Sequence, residues 1–364
     1  MTRSRTSRRL FRLSLLSLSA LVAFRAGADE ESAAIRPLRM RPAEPLPVDR
    51  FGLGFRLGFN VKTQFRNFGA IDHPFRFVTP DGDRYNYDNG YVLPDPGTPN
   101  SGLTHYWGYR GYTYTGGNQL PGNGTILMQQ ISGTGLSTCP EDQQALPGVE
   151  LTYNHEFGRT QKLRWGLEAA FNYMNVSVHD SRPLQGALGL RTDAYPLLVP
   201  ENQMPPAPYT GRENSPAVVI GANPVSSTRT LLGEIVTGTR RFDADVFGFR
   251  VGPYLEIPVT EKLVFGVSGG LALAVVSSDF SYTESIQAGS VRLPATQGAG
   301  SDHDLLFGGY VQGSVSYSFT PAAGVFGGVQ FQDVGQYTQT LRRKEASLDL
   351  SQSLFVTLGL SYTF

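Results

Sequence analysis

Eight segments alternate apolar with polar or glycine residues, their connections are short and long by turns, and no apolar run after Phe24 reaches 18 residues. Together these predict an all-β chain closed into a transmembrane antiparallel up-and-down β-barrel, most simply of eight strands, with long loops on one side. A helical membrane protein is excluded by the third observation and by a slightly negative mean hydropathy of -0.19.

The chain opens on Arg3, Arg5, Arg8, Arg9 and Arg12, an apolar run Leu13–Phe24, and the small residues Ala26-Gly27-Ala28. This is the layout of a cleavable secretory signal over residues 1–28, since about 20 apolar residues are needed for a spanning helix. Ser7-Arg8-Arg9-Leu10-Phe11 also resembles a twin-arginine export motif, which carries folded cargo; a membrane barrel would favour the unfolded route. Residues 29–50 are rich in proline and charge and read as a linker.

Loss of residues 1–28 removes six arginines and no acid, so the formal balance moves from 0 to −6. A mildly acidic chain lacks the basic patch that a nucleic-acid partner requires. The single cysteine, Cys139, excludes an intramolecular disulfide and a Cys-rich metal site. No cofactor is expected.

From Phe51 the first strand places Phe51, Leu53, Phe55, Leu57, Phe59 and Val61 against Gly52, Gly54, Arg56, Gly58, Asn60 and Lys62. Alternation over more than ten residues exceeds the roughly five or six of a soluble sandwich strand and fits a wall between lipid and a polar lumen. The second strand carries Val149, Leu151, Tyr153 and Phe157; the third, Leu163, Trp165, Leu167, Ala169, Phe171 and Tyr173, with alternation failing over 175–178. Phe247, Phe249, Val251, Leu255 and Ile257 mark the fourth, and Leu263 to Val275 the fifth. Phe307 to Phe319 gives the sixth, Val325, Val329 and Phe331 the seventh, and Leu348–Phe364 the eighth.

Gly158–Lys162, Pro258–Lys262 and Thr320–Gly324 are short connections, whereas residues 67–146, 179–241 and 283–304 are expected as long loops, with a shorter one near 341–347. The short side would be periplasmic and hold both chain ends. Strand-like pieces within 67–146 leave a ten-strand count open, although an extracellular hairpin or folded loop fits them better.

Leu354, Val356, Leu358, Leu360, Tyr362 and Phe364, alternating with Phe355, Thr357, Gly359, Ser361 and Thr363, resemble the C-terminal assembly signal of bacterial outer-membrane proteins. That resemblance implies recognition by the barrel-assembly machinery. Over about residues 51–364 the pattern also looks like the eight-stranded superfamily that includes the outer membrane protein A transmembrane domain. It implies a place in the outer membrane with lipid as partner; two loops are longer than that family carries, and no peptidoglycan-binding domain follows.

Counted at period two, the lumen would receive Arg56, Lys62, Arg66, Arg164 and Arg250 with Glu150, Glu156, Glu168 and Glu256. Opposite charges in so narrow an interior should pair into a static polar core; partner exchange along a narrow ion path is the alternative. Asp81-Gly82-Asp83 and Asp88-Asn89-Gly90 offer oxygen ligands without calcium-loop spacing, and turns are the simpler reading. His179 and Ser181 share a face and resemble the dyad of eight-stranded lipid A deacylases, but no acid stands at a recognisable spacing. His303, between Asp302 and Asp304, reads as a solvated loop histidine.

Aromatics at strand ends suggest two girdles: Phe157, Trp165, Tyr317, Phe319, Tyr362 and Phe364 on the short-turn side, and Tyr173, Phe280 and Tyr282 on the other. The functional expectation is a non-enzymatic barrel whose loops contact an extracellular ligand that the sequence does not name. Tyr106-Trp107-Gly108-Tyr109 is the expected contact surface.

Overall fold

The computed structural model describes residues 49–71, 77–98, 101–143, 145–160, 162–216 and 218–364. The signal segment and nearly all of the linker lie outside them. Eight long strands make the wall: β1 Asp49–Phe59, β2 Leu146–Arg159, β3 Arg164–Asp180, β4 Arg240–Pro258, β5 Leu263–Ala288, β6 Thr296–Ser318, β7 Ala323–Asp333 and β8 Ser353–Thr363. Each pairs antiparallel with the next, and β8 returns to β1, so the sheet closes on itself. At the seam, Leu53 opposes Leu360 and Phe55 opposes Leu358.

The three short turns share one device. Thr160, Thr260 and Thr320 each accept, on Oγ1, the backbone N–H three residues on, at 3.0, 2.9 and 2.9 Å from Leu163, Leu263 and Ala323. A threonine hydroxyl that closes its own turn satisfies a backbone donor where the ladder ends.

Along the lower half of the ring, apolar side chains point outward and stay uncovered, with Leu53 64%, Leu271 68%, Phe307 68% and Leu358 68% exposed. Higher up, the strands keep their alternation and exchange their polarity. On β3, Met174, Val176 and Val178 turn inward and are buried, while Asn175, Ser177 and His179 face out. On β4 the buried set is Phe242, Ala244 and Val246, opposite Arg241, Asp243 and Asp245. What seemed a failure of pattern at 175–178 is this exchange.

Several expected loops are strands. β5 runs 26 residues and β6 23, joined through a turn at Gly289-Ser290 and a two-residue strand, Val291–Arg292, that pairs back on β5, so most of 283–304 is wall. Within 179–241, strands Leu184–Pro196 and Ser226–Thr237 pair with each other; the first also pairs with Thr125–Ser132, and the second joins the top of β5. Among the described residues, no strand between 67 and 143 pairs with a ring strand. The expected eighth segment is interrupted: Leu348 belongs to a separate strand, Lys344–Asp349, and Gln352 (φ 56°) precedes β8.

The upper ring is filled by an apolar core that includes Val61, Phe65, Val176, Phe242, Phe280 and Leu348. A second core lies in the cap above it, around Tyr87, Trp107, Ile126, Met128, Tyr195 and Ile220. Tyr106, Trp107 and Tyr109 are at most 3% exposed, and Trp107 Nε1 donates to the Val218 carbonyl at 2.8 Å. The Tyr106–Tyr109 stretch is therefore cap core and not the exposed surface expected of it.

Candidate functional site

The lumen of the lower ring holds a layer of charge. Arg250 donates from Nη2 to Glu150 at 2.9 Å and from Nη1 to Glu168 at 2.7 Å. Arg56 pairs with the other oxygen of Glu150 and donates to Gln330 at 3.0 Å. Glu168 also accepts from Asn154 at 2.9 Å and Ser268 at 3.1 Å. The Arg56 guanidinium lies 3.8 Å from the Phe355 ring centroid, so its planar face is covered as well.

The hydrogen-bonded residues of this layer come from β1, β2, β3, β4, β5 and β7 and brace the ring across its diameter. Glycine at 52, 54 and 58 leaves room for the side chains that flank this layer, Thr152, Phe326, Thr357 and Phe355: a Cβ at Gly54 would sit 2.8 Å from the Thr357 methyl. Near the short-turn rim Glu256 pairs with Arg50, and Glu156 is held by Arg159 at 2.7 and 2.9 Å. Sequence reasoning omitted Arg50 and Arg159, because one sat in the supposed linker and the other in a turn. Arg164 lies at the same rim, opposite Glu256 in the β3–β4 register.

Lys62 and Arg66 stand apart from this layer. Asn60 adopts a left-handed conformation (φ 59°), and beyond it the facing reverses, so that Val61, Thr63 and Phe65 are buried while Lys62 and Arg66 turn outward. A single residue out of extended geometry displaces every following side chain to the other face. Strand Val61–Arg66 pairs with Lys344–Asp349, above the ring seam.

The upper structure contains two buried charged nodes. Asp180, at the end of β3, accepts from Arg240 at 3.1 Å and from Arg182 N and Nε at 3.0 and 2.9 Å. Burial favours protonation of its carboxyl, but the Arg182 bonds and the Arg240 charge outweigh burial and hold it below the usual aspartate range. In the second node, Glu284 on β5 accepts from Gly69 N at 2.5 Å and Lys344 Nζ at 2.8 Å. Beside it the Glu234 carboxyl is pushed up to about 7, by burial first and by the Glu284 carboxylate second, against the opposing charge of Lys344.

The remaining candidates are placed as follows. Asp88 Oδ2 accepts the Ile131 N–H at 2.6 Å, Asn89 Oδ1 accepts that of Gln129 at 2.7 Å, and Asp83 accepts from Tyr106 at 3.0 Å. Those oxygens hold the cap together. His179 and Ser181 are exposed, and the intervening Asp180 is committed to its arginines. Cys139 is exposed, and His303 lies on the exposed upper wall of β6 rather than in a loop.

Leu354, Val356, Leu358, Leu360, Tyr362 and Phe364 form one outward, exposed face at the β8 seam. Phe364 stacks on Phe51, ring centroids 5.7 Å apart. Phe157, Trp165, Tyr317 and Phe319 are likewise exposed at the short-turn end. Phe280 and Tyr282, expected in the opposite girdle, instead point into the upper core at 1% and 4% exposure.

No protein-family model matches the chain, and no curated protein does. Among solved structures it is similar to Ail, the attachment invasion locus protein of Yersinia pestis, at 8% identity over 87% of this chain and 98% of that one, TM-score 0.26. It is also similar to the outer membrane protease OmpT of Escherichia coli, at 11% identity over 88% and 97%, TM-score 0.29. A Pseudomonas aeruginosa FadL homologue follows at 9% identity over 87% and 90%, TM-score 0.18.

Proposed function

We propose that this chain is a non-enzymatic outer-membrane barrel whose lower ring spans the bilayer and whose upper ring and cap form a rigid surface for contact outside the cell. The observation that carries this reading is the exchange of polarity along β3 and β4, apolar-out below and apolar-in above. A wall facing lipid needs the first arrangement and a wall facing water needs the second. About 9–11 tilted residues cross a bilayer, and β5, with 26, extends far past that length.

A scaffold role is favoured over a channel because the charge layer is knit together from six strands and the upper ring above it is packed with apolar side chains. Export through the N-terminal signal and recognition of the Leu354–Phe364 face by the barrel-assembly machinery complete the reading.

The test is a detergent gel of membrane-extracted protein with and without boiling, joined to planar-bilayer recording. We expect a heat-dependent shift, as a closed hydrogen-bonded ring resists detergent, and no conductance steps. A chain that fractionates as soluble and does not shift would remove the membrane reading; stepwise conductance would remove the closed scaffold.

A further inference from the structure

Arg191 and Arg229 stand directly opposite one another on the paired strands Leu184–Pro196 and Ser226–Thr237. Cross-strand partners share a face, and like charges so placed destabilise a sheet. Arg191 is held in one orientation, with Nε 3.1 Å and Nη2 2.6 Å from the two oxygens of Asp193. Asp193 is itself wholly buried and accepts from Tyr87 at 2.5 Å, which ties the pair to the cap. Among the described residues Arg229 has no carboxylate partner, and it is exposed.

The next residues on this face complete a receptor. Gln130 lies opposite Arg191 on the third strand, and Ser132 opposite Gly189. Because Gly189 carries no side chain, a groove of about 290 Å³ opens between these residues. The Ser132 hydroxyl lies 3.3 Å from where a Cβ at Gly189 would be. Two guanidinium groups, an amide and a hydroxyl thus line one concavity, and the Asp193 carboxylate beside it is already engaged by Arg191.

We propose that this groove binds a tetrahedral oxyanion, a phosphate or sulfate group, with Arg229 as the recruiting cation and Arg191 as the pre-oriented one. Guanidinium forks match such oxygens two at a time, and an anion between the two arginines turns their repulsion into a shared attraction. The groove gives the contact surface proposed above its ligand chemistry and in that sense rests on that reading. Its geometry belongs to the sheet and does not depend on where the barrel resides.

The test is calorimetric titration of the detergent-solubilised full chain with inorganic phosphate and with inorganic sulfate at low ionic strength. We expect saturable binding of at least one ion. Arg229→Gln should weaken it about tenfold or more, the effect of one charge-assisted hydrogen bond, and Arg229→Lys should weaken it less. Gly189→Val, which fills the floor and leaves every charge in place, should also weaken it, while Arg292→Gln at another exposed arginine should not. Each variant is first checked for the heat-dependent gel shift, which reports the ring, and for unchanged resistance to limited proteolysis, which reports the sheet that carries the groove.

Absence of saturable binding by the folded chain would overturn the proposal, as would affinity unchanged in Arg229→Gln or in Gly189→Val. A saturable titration by a chain that shows no gel shift would keep the anion site and remove the membrane reading. The two failures are therefore distinguishable.

Discussion

Arg250 and Glu150 stand on strands that are not neighbours in the ring, yet Nη2 of one lies 2.9 Å from Oε1 of the other, across the lumen. Through this bond and its partner to Glu168, β4 is tied to β2 and β3 from the inside as well as through the wall. Arg250→Leu leaves the buried Glu168 without its cation and Glu150 with Arg56 alone, a loss of roughly 3–5 kcal/mol. Denaturant unfolding in detergent should show it, while Arg66→Ala, outside the layer, should stay within about 0.5 kcal/mol.

The level at which polarity exchanges can be located by substitution. Leu271 and Ser281 both point outward on β5, one in the apolar belt and one above it. Leu271→Arg should cost about 2–4 kcal/mol in lipid, and Ser281→Arg about 0–1 kcal/mol. Equal costs in a folding titration from bilayers would contradict a membrane boundary between them.

At the reversal of facing, Asn60 Nδ2 donates to the Gln352 carbonyl at 2.8 Å, and both residues are left-handed. Asn60→Val should destabilise the chain by at least about 1–2 kcal/mol, since a branched Cβ crowds that conformation. Asn60→Gly should be far milder. If the two variants melt together, the turn does not depend on that backbone angle.

Much of the wall was legible because a lipid-facing strand writes a long, regular period of two. The rest was obscured where the same period changed meaning. Val176 and Val178 follow the alternation that Phe171 began, but they face inward, so a reader seeking apolar-outward residues sees the pattern fail. Lys62 follows Arg56 at the right spacing and lands on the other face, because one residue between them left extended geometry. The charge layer was legible as a set of inward positions on regular strands. The cap and the Arg191–Arg229 pair were not, since their strands are short and meet only through tertiary pairing.

Glu234 gives the upper structure a pH dependence of defined sign. Burial and the Glu284 carboxylate push its folded pKa up to about 7, above the ordinary glutamate value of 4.5, so the folded chain binds the proton more tightly. This contribution is fully present below about pH 4.5 and is lost as pH rises through about 7. Cap stability, followed by limited proteolysis, should fall between pH 5 and 8, and Glu234→Gln should flatten that slope. An unchanged slope in the variant would assign it to another group.

Trp107 anchors the cap core at 0% exposure. Trp107→Ala should cost the cap about 3–5 kcal/mol and expose segments within 77–135 to protease. The heat-dependent shift should persist, because the ring's hydrogen bonds lie elsewhere. Loss of both together would mean that cap and ring unfold as one unit.

The seam has a kinetic meaning. Asp49 N donates to the Phe364 carbonyl at 3.3 Å, and Phe364 N donates to the Asp49 carbonyl at 3.0 Å, a reciprocal pair across 315 positions of chain. Every other junction of the wall can form as soon as two successive strands meet, but this one waits for the whole length to be available. Closure is then the most non-local and slowest step of assembly, and until it occurs two unsatisfied strand edges stay open in the nascent sheet.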